Sequence, residues 1–364
     1  MSCGFNDSLV KLYPANDCPN LSNWNYSTMN VLVVGGAGYI GSHMVRLLDQ
    51  NGYNVFVLDN LSTGFAKAVT AGELIVGEMA DRNLTEQVLG DHKIDAVMHF
   101  AACALVGESV INPAKYYENN VVATVQLLEA MRKTNVDRIV FSSTCATYGV
   151  PDVVPISEDE KQSPLNPYGF TKLVIERALE DYASAYNLGY AALRYFNAAG
   201  ASPVGDIGED HDPESHLIPL VLQVALGQRE QITIFGDDWP TADKTCVRDY
   251  IHVDDLGSAH LSALERIKPG EGIKVNLGTG RGLSVKEIIE TCREVTGHEI
   301  PALVGDRRPG DPPELVANAA KARQLLGWEP AYLEPRTIIE TAWNWHRANP
   351  TGYDKSTPVE SPRL

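Results

Sequence analysis

Val31-Leu32-Val33-Val34-Gly35-Gly36-Ala37-Gly38-Tyr39-Ile40-Gly41 decides the fold of this chain. Its first four residues are an unbroken branched apolar run, the pattern of a strand buried on both faces of a parallel sheet. From Ile40 onward, Met44, Leu47 and Leu48 recur at helical spacing, so a helix begins among the glycines. Strand, glycine turn and helix make a phosphate site: backbone without Cβ lets an anion approach, and unpaired N–H groups at the helix start point at it. The glycines are spaced G-x-x-G-x-x-G (Gly35, Gly38, Gly41) instead of the commoner G-x-G-x-x-G. The next apolar run, Asn54-Val55-Phe56-Val57-Leu58, ends in Asp59, about 20 residues past the glycines, where an acid meets the ribose hydroxyls of an adenosine. A carboxylate there repels a 2′-phosphate and no Arg directly follows, so the expected dinucleotide is NAD.

Further apolar runs continue the alternation of strand and helix up to about residue 197. Leu74-Ile75-Val76, Ala96-Val97-Met98-His99-Phe100, Arg138-Ile139-Val140-Phe141 and Ala191-Ala192-Leu193-Arg194-Tyr195 read as strands. Helical period appears at Val121, Val125 and Leu128, and again at Tyr168, Lys172, Ile175, Leu179, Tyr182 and Tyr186. The expected fold is α/β, a Rossmann-like doubly wound parallel sheet with its ligand at the strand C-termini. After Asn197, Gly, Asp and Pro accumulate from Gly200 to Pro213 and strict alternation stops. The sequence therefore divides into a nucleotide-binding domain over 30–198 and a smaller C-terminal substrate-binding α/β domain over 199–350. Residues 1–29 read as a loosely ordered extension, and 351–364 as a frayed tail rich in Pro and charge.

Composition narrows the function classes. The 364 residues carry 30 Lys+Arg against 47 Asp+Glu, a net charge of −17, with no basic run. That is the wrong balance for a nucleic-acid binder. No apolar stretch approaches the about 20 residues of a membrane span, and the start lacks the basic and apolar regions of a signal peptide. The six cysteines are scattered without a C-x-x-C pair, as expected of reduced thiols in a cytoplasmic protein. The nine histidines read as dispersed, with no cluster at metal spacing and no metal expected. His99 and His252 fall at strand ends and read as core histidines.

The chemistry-bearing residues lie in the first domain. Tyr168 and Lys172, in Tyr168-Gly169-Phe170-Thr171-Lys172, are i and i+4 on one helix and project from one face. A phenol of pKa about 10 is a poor base at neutral pH; a nearby ammonium, or a positive nicotinamide, favours the phenolate. Asn166-Pro167 starts that helix, and Phe141-Ser142-Ser143-Thr144 brings a hydroxyl to the sheet's C-terminal edge, where it can hydrogen-bond a sugar hydroxyl.

These residues, in order with Leu58-Asp59-Asn60-Leu61-Ser62, Val106-Gly107-Glu108-Ser109, Tyr117-Glu118-Asn119-Asn120-Val121, Arg194-Tyr195-Phe196-Asn197 and Val247-Arg248-Asp249-Tyr250-Ile251-His252-Val253, closely resemble the extended short-chain dehydrogenase/reductases. Within that family they resemble the UDP-galactose (UDP-glucose) 4-epimerases, over nearly everything from Val31 to Gly352. The resemblance implies an NAD-dependent isomerase of nucleotide sugars, a homodimer built on helices near 114–133 and 167–187, with UDP-glucose and UDP-galactose as its substrates. It implies that Tyr168 takes the proton of the sugar 4-hydroxyl while hydride leaves C4, that the 4-keto sugar turns about its diphosphate link, and that hydride returns to the other face. Thr144 then stands at the family's proton relay and Lys172 at the nicotinamide ribose.

By the same resemblance, Gly35, Gly36, Gly38, Tyr39, Ile40 and Gly41 lie at the pyrophosphate. Asp59, Asn60, Ser62, Thr63, Gly64, Glu78 and Met79 lie near the adenosine. Phe100, Ala101, Ala102, Asn119, Tyr195 and Phe196 line the cofactor cleft. Asn197, His216, Leu217, Thr233, Ile234, Phe235, Arg248, Arg308, Asp311 and Leu315 fall where the family grips the UDP-sugar, the two guanidinium forks matching diphosphate oxygens.

The chain departs from the family in four places. Ala104 stands where many members have Lys, Glu78-Met79 replaces Asp-Ile, and Ser215-His216 replaces an asparagine pair. Leu315 stands where a bulky Tyr or a small residue gates N-acetylated sugars. Two rival readings follow from the same fold. A 4,6-dehydratase carries Thr-Asp-Glu, whereas this chain reads Thr144-Cys145-Ala146 and lacks both acids. A non-catalytic NAD sensor needs none of Thr144, Tyr168 and Lys172. Epimerases of UDP-arabinose/UDP-xylose or UDP-N-acetyl sugars remain alternative substrate readings.

Overall fold

The computed structural model describes residues 29–308 and 310–353. Residues 1–28 of the expected extension and 354–364 of the expected tail lie outside them, as do Cys3 and Cys18. In chain order the first part comprises β1 (Asn30–Val34), α1 (Tyr39–Gln50), β2 (Asn54–Asp59), β3 (Glu73–Val76), α2 (Arg82–Asp91), β4 (Ala96–His99), α3 (Val106–Ile111), α4 (Pro113–Tyr116), α5 (Ala123–Thr134), β5 (Arg138–Thr144), α6 (Pro167–Tyr186) and β6 (Gly189–Tyr195). There follow β7 (Asn197–Ala199), α7 (Leu217–Ala225), β8 (Ile232–Phe235), β9 (Val247–His252), α8 (Val253–Leu264), β10 (Gly272–Leu277), β11 (Gly282–Ser284), α9 (Val285–Thr296), β12 (Ala302–Gly305), β13 (Glu314–Leu315), α10 (Ala320–Leu326) and α11 (Pro335–Ala348).

The branched run of β1 becomes an interior strand of a seven-stranded sheet ordered β10-β6-β5-β4-β1-β2-β3. All its pairings are parallel. Because strand side chains alternate, Val31 and Val33 enter one apolar cluster with Met44, Val45 and Leu48 of α1, while Leu32 and Val34 enter another with Leu127, Leu128 and Met131 of α5. Both faces are therefore covered, which is why the run contains no polar alternation. Strand order reverses between β1 and β4, and in such sheets ligands bind outside the strand C-termini at that switch. The glycine turn stands there.

The expected strands are all present, with β5 extending to Thr144. The helix expected near 114–133 is built in three pieces: α4, a wider π-helical turn over Tyr117–Val122, and α5. That wider turn carries Asn119 and Asn120, and such turns often mark functional sites. Among the described residues no helix is long and apolar enough to cross a membrane.

The division after residue 198 does not cut the core cleanly. β10 joins the main sheet beside β6, with Asn276 opposite Arg194, and Ile251, Leu256, Leu264 and Trp328 belong to the cluster around α1. The segment after 199 is thus shared. Its remaining strands form a four-stranded sheet, β11-β9-β13 with β7 against β9, and a parallel β8–β12 pair. They sit over a cluster from α7, α9 and α11.

Candidate active site

The glycine turn is set by local sterics. Gly35 has φ +82°, and a Cβ there would overlap the backbone nitrogen of Ala101; a Cβ on Gly41 would collide with the Gly35 carbonyl oxygen. At Gly38 a Cβ would meet only that oxygen, at 3.5 Å, and otherwise open space. Packing within the protein does not demand a glycine there, so the space suits a ligand. The α1 N-terminus, starting at Tyr39, has no side-chain cap, and its first N–H groups face that space as an anion site. A pyrophosphate fits this cradle, and the residues present fit NAD.

Asp59 ends β2 and is only 9% exposed. Burial pushes its carboxyl above the usual range, opposed by hydrogen bonds from the N–H groups of Leu61 and Ala37. These are made at 2.8 and 2.9 Å, so the acid also ties the glycine turn to the β2 loop. Asn60 donates to Glu78 at 3.1 Å and accepts from the N–H of Ser62 at 2.9 Å, and Gly64 packs closely on Ala37. Thr63 lies in that same loop. The Met79 side chain packs in the core cluster beside Leu58. Phe100, Ala101 and Ala102 follow β4 across the switch point, where Phe100 packs at a tilt of 38° against His260 with centroids 4.8 Å apart.

The reactive side chains converge from two elements. Thr144 ends β5 in register with Tyr195, and its hydroxyl accepts from Ala146 N–H at 3.1 Å. Tyr168 and Lys172 come from the first turns of α6, which Asn166 caps through Gly169 N–H at 2.9 Å. Nζ of Lys172, 3% exposed, donates to the Ser142 carbonyl at 2.8 Å and lies 6.0 Å from the Tyr168 ring centroid. Burial lowers its ammonium to about 7, partly offset by Glu176. Burial, followed by Tyr195, raises the Tyr168 phenol well above its ordinary value, while a hydrogen bond with Thr144 pulls it down. Burial thus favours the neutral phenol, so the positive nicotinamide expected beside the lysine bears on the phenolate as well. Tyr195 hydrogen-bonds Ser142 Oγ at 2.5 Å.

Residues the sequence reading passed over hold this centre. Glu176, one turn beyond Lys172, pairs with Arg194 of β6 at 2.6 Å, both buried, and accepts from Ser143 at 2.5 Å. Arg194 also donates to Tyr148, and Tyr148 donates to Asn276 at 2.7 Å. Removing one partner of such a buried pair costs about 3–5 kcal/mol. Asn120 clamps the loop after β4 through the N–H and carbonyl of Cys103 and reaches Thr171 at 3.2 Å, while Asn119 donates to it at 3.0 Å. A buried Asn or Glu beside a reactive residue is the only signal, and spacing does not reveal it.

On the other side of the cleft the structure gathers Arg248, Arg308 and Asp311 around Cys246, whose thiol burial raises and the two guanidiniums lower. Arg308 lies 4.8 Å from the exposed Phe235 ring and pairs with Asp311 at 3.1 Å. Leu315 is opposite Arg248 in the β13–β9 register and packs with Cys145 and Phe196, beside Thr144. Buried Asp249 fixes this corner by accepting from Thr279, Gly280 and Ala317 backbone at 2.9–3.1 Å. Asn197 and Leu217 line a small pocket with Tyr250. Thr233 and Phe235 share the outer face of β8, while the Ile234 side chain alternates inward into the core.

The histidines are also not all dispersed. His99 and His252 are buried core residues, hydrogen-bonded to Thr124 at 2.8 Å and Thr341 at 3.1 Å. His211 and His216 instead gather with Glu209 and Glu214. His216 pairs with Glu209 and also lines the small pocket with Asn197 and Leu217.

A switch-point phosphate cradle facing a Thr–Tyr–Lys centre defines a nicotinamide-dependent protein that moves hydride and proton at a carbinol carbon. The sequence pattern of the NAD dependent epimerase/dehydratase family matches residues 31–278. A UDP-glucose 4-epimerase of Halalkalibacterium halodurans is 56% identical over 326 residues, covering 89% of this chain and 98% of the relative. Among solved structures, UDP-glucose 4-epimerase from Brucella ovis in complex with NAD superposes with TM-score 0.84 at 50% identity, over 86% of this chain and 97% of that one. The Bifidobacterium longum enzyme in complex with NAD+ and UDP gives 0.86 at 38% identity, over 89% and 100%. The chain belongs to the NAD dependent epimerase/dehydratase family.

Proposed function

We propose that this chain is an NAD-dependent isomerase interconverting UDP-glucose and UDP-galactose by inversion at the sugar C4. The observation that carries the reading is the 56% identity spanning 98% of a UDP-glucose 4-epimerase, in a chain whose Thr144, Tyr168 and Lys172 meet at one sheet edge. NAD, when bound, supplies a positively charged ring that takes hydride from C4 and gives it back. The glycine turn and the start of α1 hold its pyrophosphate, Asp59 to Gly64 its adenosine, and Lys172 its nicotinamide ribose.

The protein's own groups do the rest. Tyr168, as phenolate, takes the proton from the 4-hydroxyl and later returns it to the 4-keto oxygen as hydride is delivered to the opposite face of C4. Thr144 hydrogen-bonds that hydroxyl and passes the proton. Arg248 and Arg308 grip the diphosphate, so the 4-keto sugar turns about an anchored link. Dehydration is disfavoured because Cys145 and Ala146 follow Thr144 where two carboxylates are needed, and burial pushes the Cys145 thiol up to about 12.

The same reading makes the protein a cytoplasmic homodimer. Its helical face α4–α6 exposes Tyr117, Val122 and Phe170, with the Tyr117 and Phe170 rings 6.5 Å apart. Leu179, on the second of the two helices, packs inside its own core. Cys103, Cys145, Cys246 and Cys292 are free thiols. Incubation with UDP-glucose, UDP-GlcNAc and UDP-xylose in separate reactions, without added NAD, tests the function. UDP-galactose formed from the first is the expected result. Epimer from another sugar alone, or none from UDP-glucose, overturns it.

A further inference from the structure

Four side chains apart from the Thr144–Tyr168–Lys172 centre converge on one point. Glu209, His211, Glu214 and His216 come from the loop leading into α7, and their ligating atoms all lie within 4.8 Å of one another. Nδ1 of His211 is 3.3 Å from Oε1 of Glu209 and 3.6 Å from Oε2 of Glu214, and Nδ1 of His216 pairs with the same Oε1 of Glu209. A tetrahedral zinc ion about 2.0–2.1 Å from N and O ligands has ligand–ligand edges of about 3.3–3.4 Å. The two His211 separations are close to that edge, whereas the His216–Glu209 contact is shorter, so Nδ1 of His216 must draw back from Oε1 to admit an ion.

The surroundings favour an ion over a mere set of pairs. The carboxylates are buried, with 3% and 6% of the Glu209 and Glu214 side chains exposed. Among the described residues no Lys or Arg forms an ion pair with either. Oε1 of Glu214 accepts from the N–H groups of Ser215 and His216 at 2.7 and 2.8 Å, which leaves Oε2 for His211, as outer-shell bonds orient a ligating carboxylate. His211 is braced edge-on by the Tyr39 ring, centroids 6.1 Å apart. A further buried imidazole, His346, lies in the field of Glu209, Glu214 and Asp210, and its Nε2 has no hydrogen-bond partner among the described residues.

We propose that this cluster is a structural site for one divalent transition-metal ion, Zn2+ by preference, held by Nδ1 of His211 and His216 and by the carboxylates of Glu209 and Glu214. Two carboxylates and two neutral imidazoles balance a dication, and the mixed N and O set suits zinc. The ion works by position. It fastens the entry to α7, where Leu217 starts, against Tyr39, whose hydroxyl already donates to Gly200 at 2.6 Å. The phosphate turn and the sugar side of the cleft are thereby joined through one inorganic link.

The test uses full-length protein carrying NAD, made without a histidine tag and stripped with EDTA, then titrated with Co2+ and Zn2+. Expected are stoichiometric Co2+ uptake with the intense visible bands of a four-coordinate ion, displacement by Zn2+, and a Zn2+-dependent rise in Tm that EDTA reverses. His211→Ala and Glu209→Gln weaken Zn2+ binding by more than the about 10–100-fold that loss of an outer-shell partner costs. Glu214→Gln keeps the side-chain volume and serves if either variant fails to fold. Wild-type protein without the Co2+ bands and without the Tm shift overturns the site, as does unchanged Zn2+ affinity in folded His211→Ala.

Discussion

On the cofactor side of the cleft, the glycine turn, Asp59, Thr144, Tyr168 and Lys172 stand at the ends of β1, β2 and β5 and the start of α6, elements on one seven-stranded sheet. On the side proposed for the sugar, Asn197, Thr233, Arg248 and Leu315 come from β7, β8, β9 and β13, split between two small sheets, and Arg308 from a loop. Thr144 and Lys172 are 6% and 3% exposed, whereas the Arg308 side chain is 58% exposed. The first side is held by the same packing that holds the fold, so a change there is felt as instability. The second is carried by short strands with room around them, so a change there is felt as altered selectivity.

The harshest way to break this contrast is Gly41→Val. The Cβ of any residue collides with the Gly35 carbonyl oxygen, so the variant is expected to lose both NAD and native folding, measured as nucleotide released on denaturation and by circular dichroism. A folded variant with stoichiometric NAD erases the distinction. Tyr168→Phe separates chemistry from architecture on that side: it keeps fold and NAD while kcat falls by about 10²–10⁴-fold. Near-native turnover moves the proton to another group.

Leu315→Tyr sharpens the sugar side. Leu315 packs beside Cys145 and Phe196, and volume in a pocket wall discriminates by only about 1–3 kcal/mol. Activity on UDP-GlcNAc is expected to fall far more than on UDP-galactose; equal falls, or none, remove Leu315 as the gate.

The smallest effect is a pH slope in the main core. Burial holds His99 near 3 and His260 near 4, the latter opposed by a bond to the Leu256 carbonyl. Between pH 6.5 and those values the unfolded chain binds protons that the folded chain does not. Stability therefore falls with acidification, by up to about 1.4 kcal/mol per pH unit for each group. His260→Asn, whose amide can still donate to Leu256, is expected to flatten the dependence of Tm on pH between 6.5 and 5; an unchanged slope rules His260 out.

The same contrast explains what was legible in the sequence. Gly35 to Gly41, Tyr168 and Lys172 are read from spacing because one turn and one helix carry them, and local periodicity fixes their faces. That the side chains of Ile234 and Met79 turn into the core is not legible, because resemblance supplies a position but not which side of a strand or loop a side chain takes; on β8 the alternation shows it. Glu176, Arg194 and Asn120 were missed because their role is to satisfy one another across β5, β6, α6 and the π-helical turn, and long-range pairing leaves no local period. The spacing Glu209-x-His211-x-x-Glu214-x-His216 was on the page, but helical or strand geometry predicts no convergence for it, and only the loop's path brings the rings together. The boundary after 198 was drawn from a change in composition, whereas the sheet takes its last strand from beyond it.

That last strand limits what can be inherited or exchanged. A chain ending at 198 would leave β6 as a bare edge, its N–H and C=O row open to self-association, and would strip Val275, Leu256 and Trp328 from the cluster under α1. The nucleotide-binding part therefore cannot be lifted out at that boundary without opening both its sheet edge and its core.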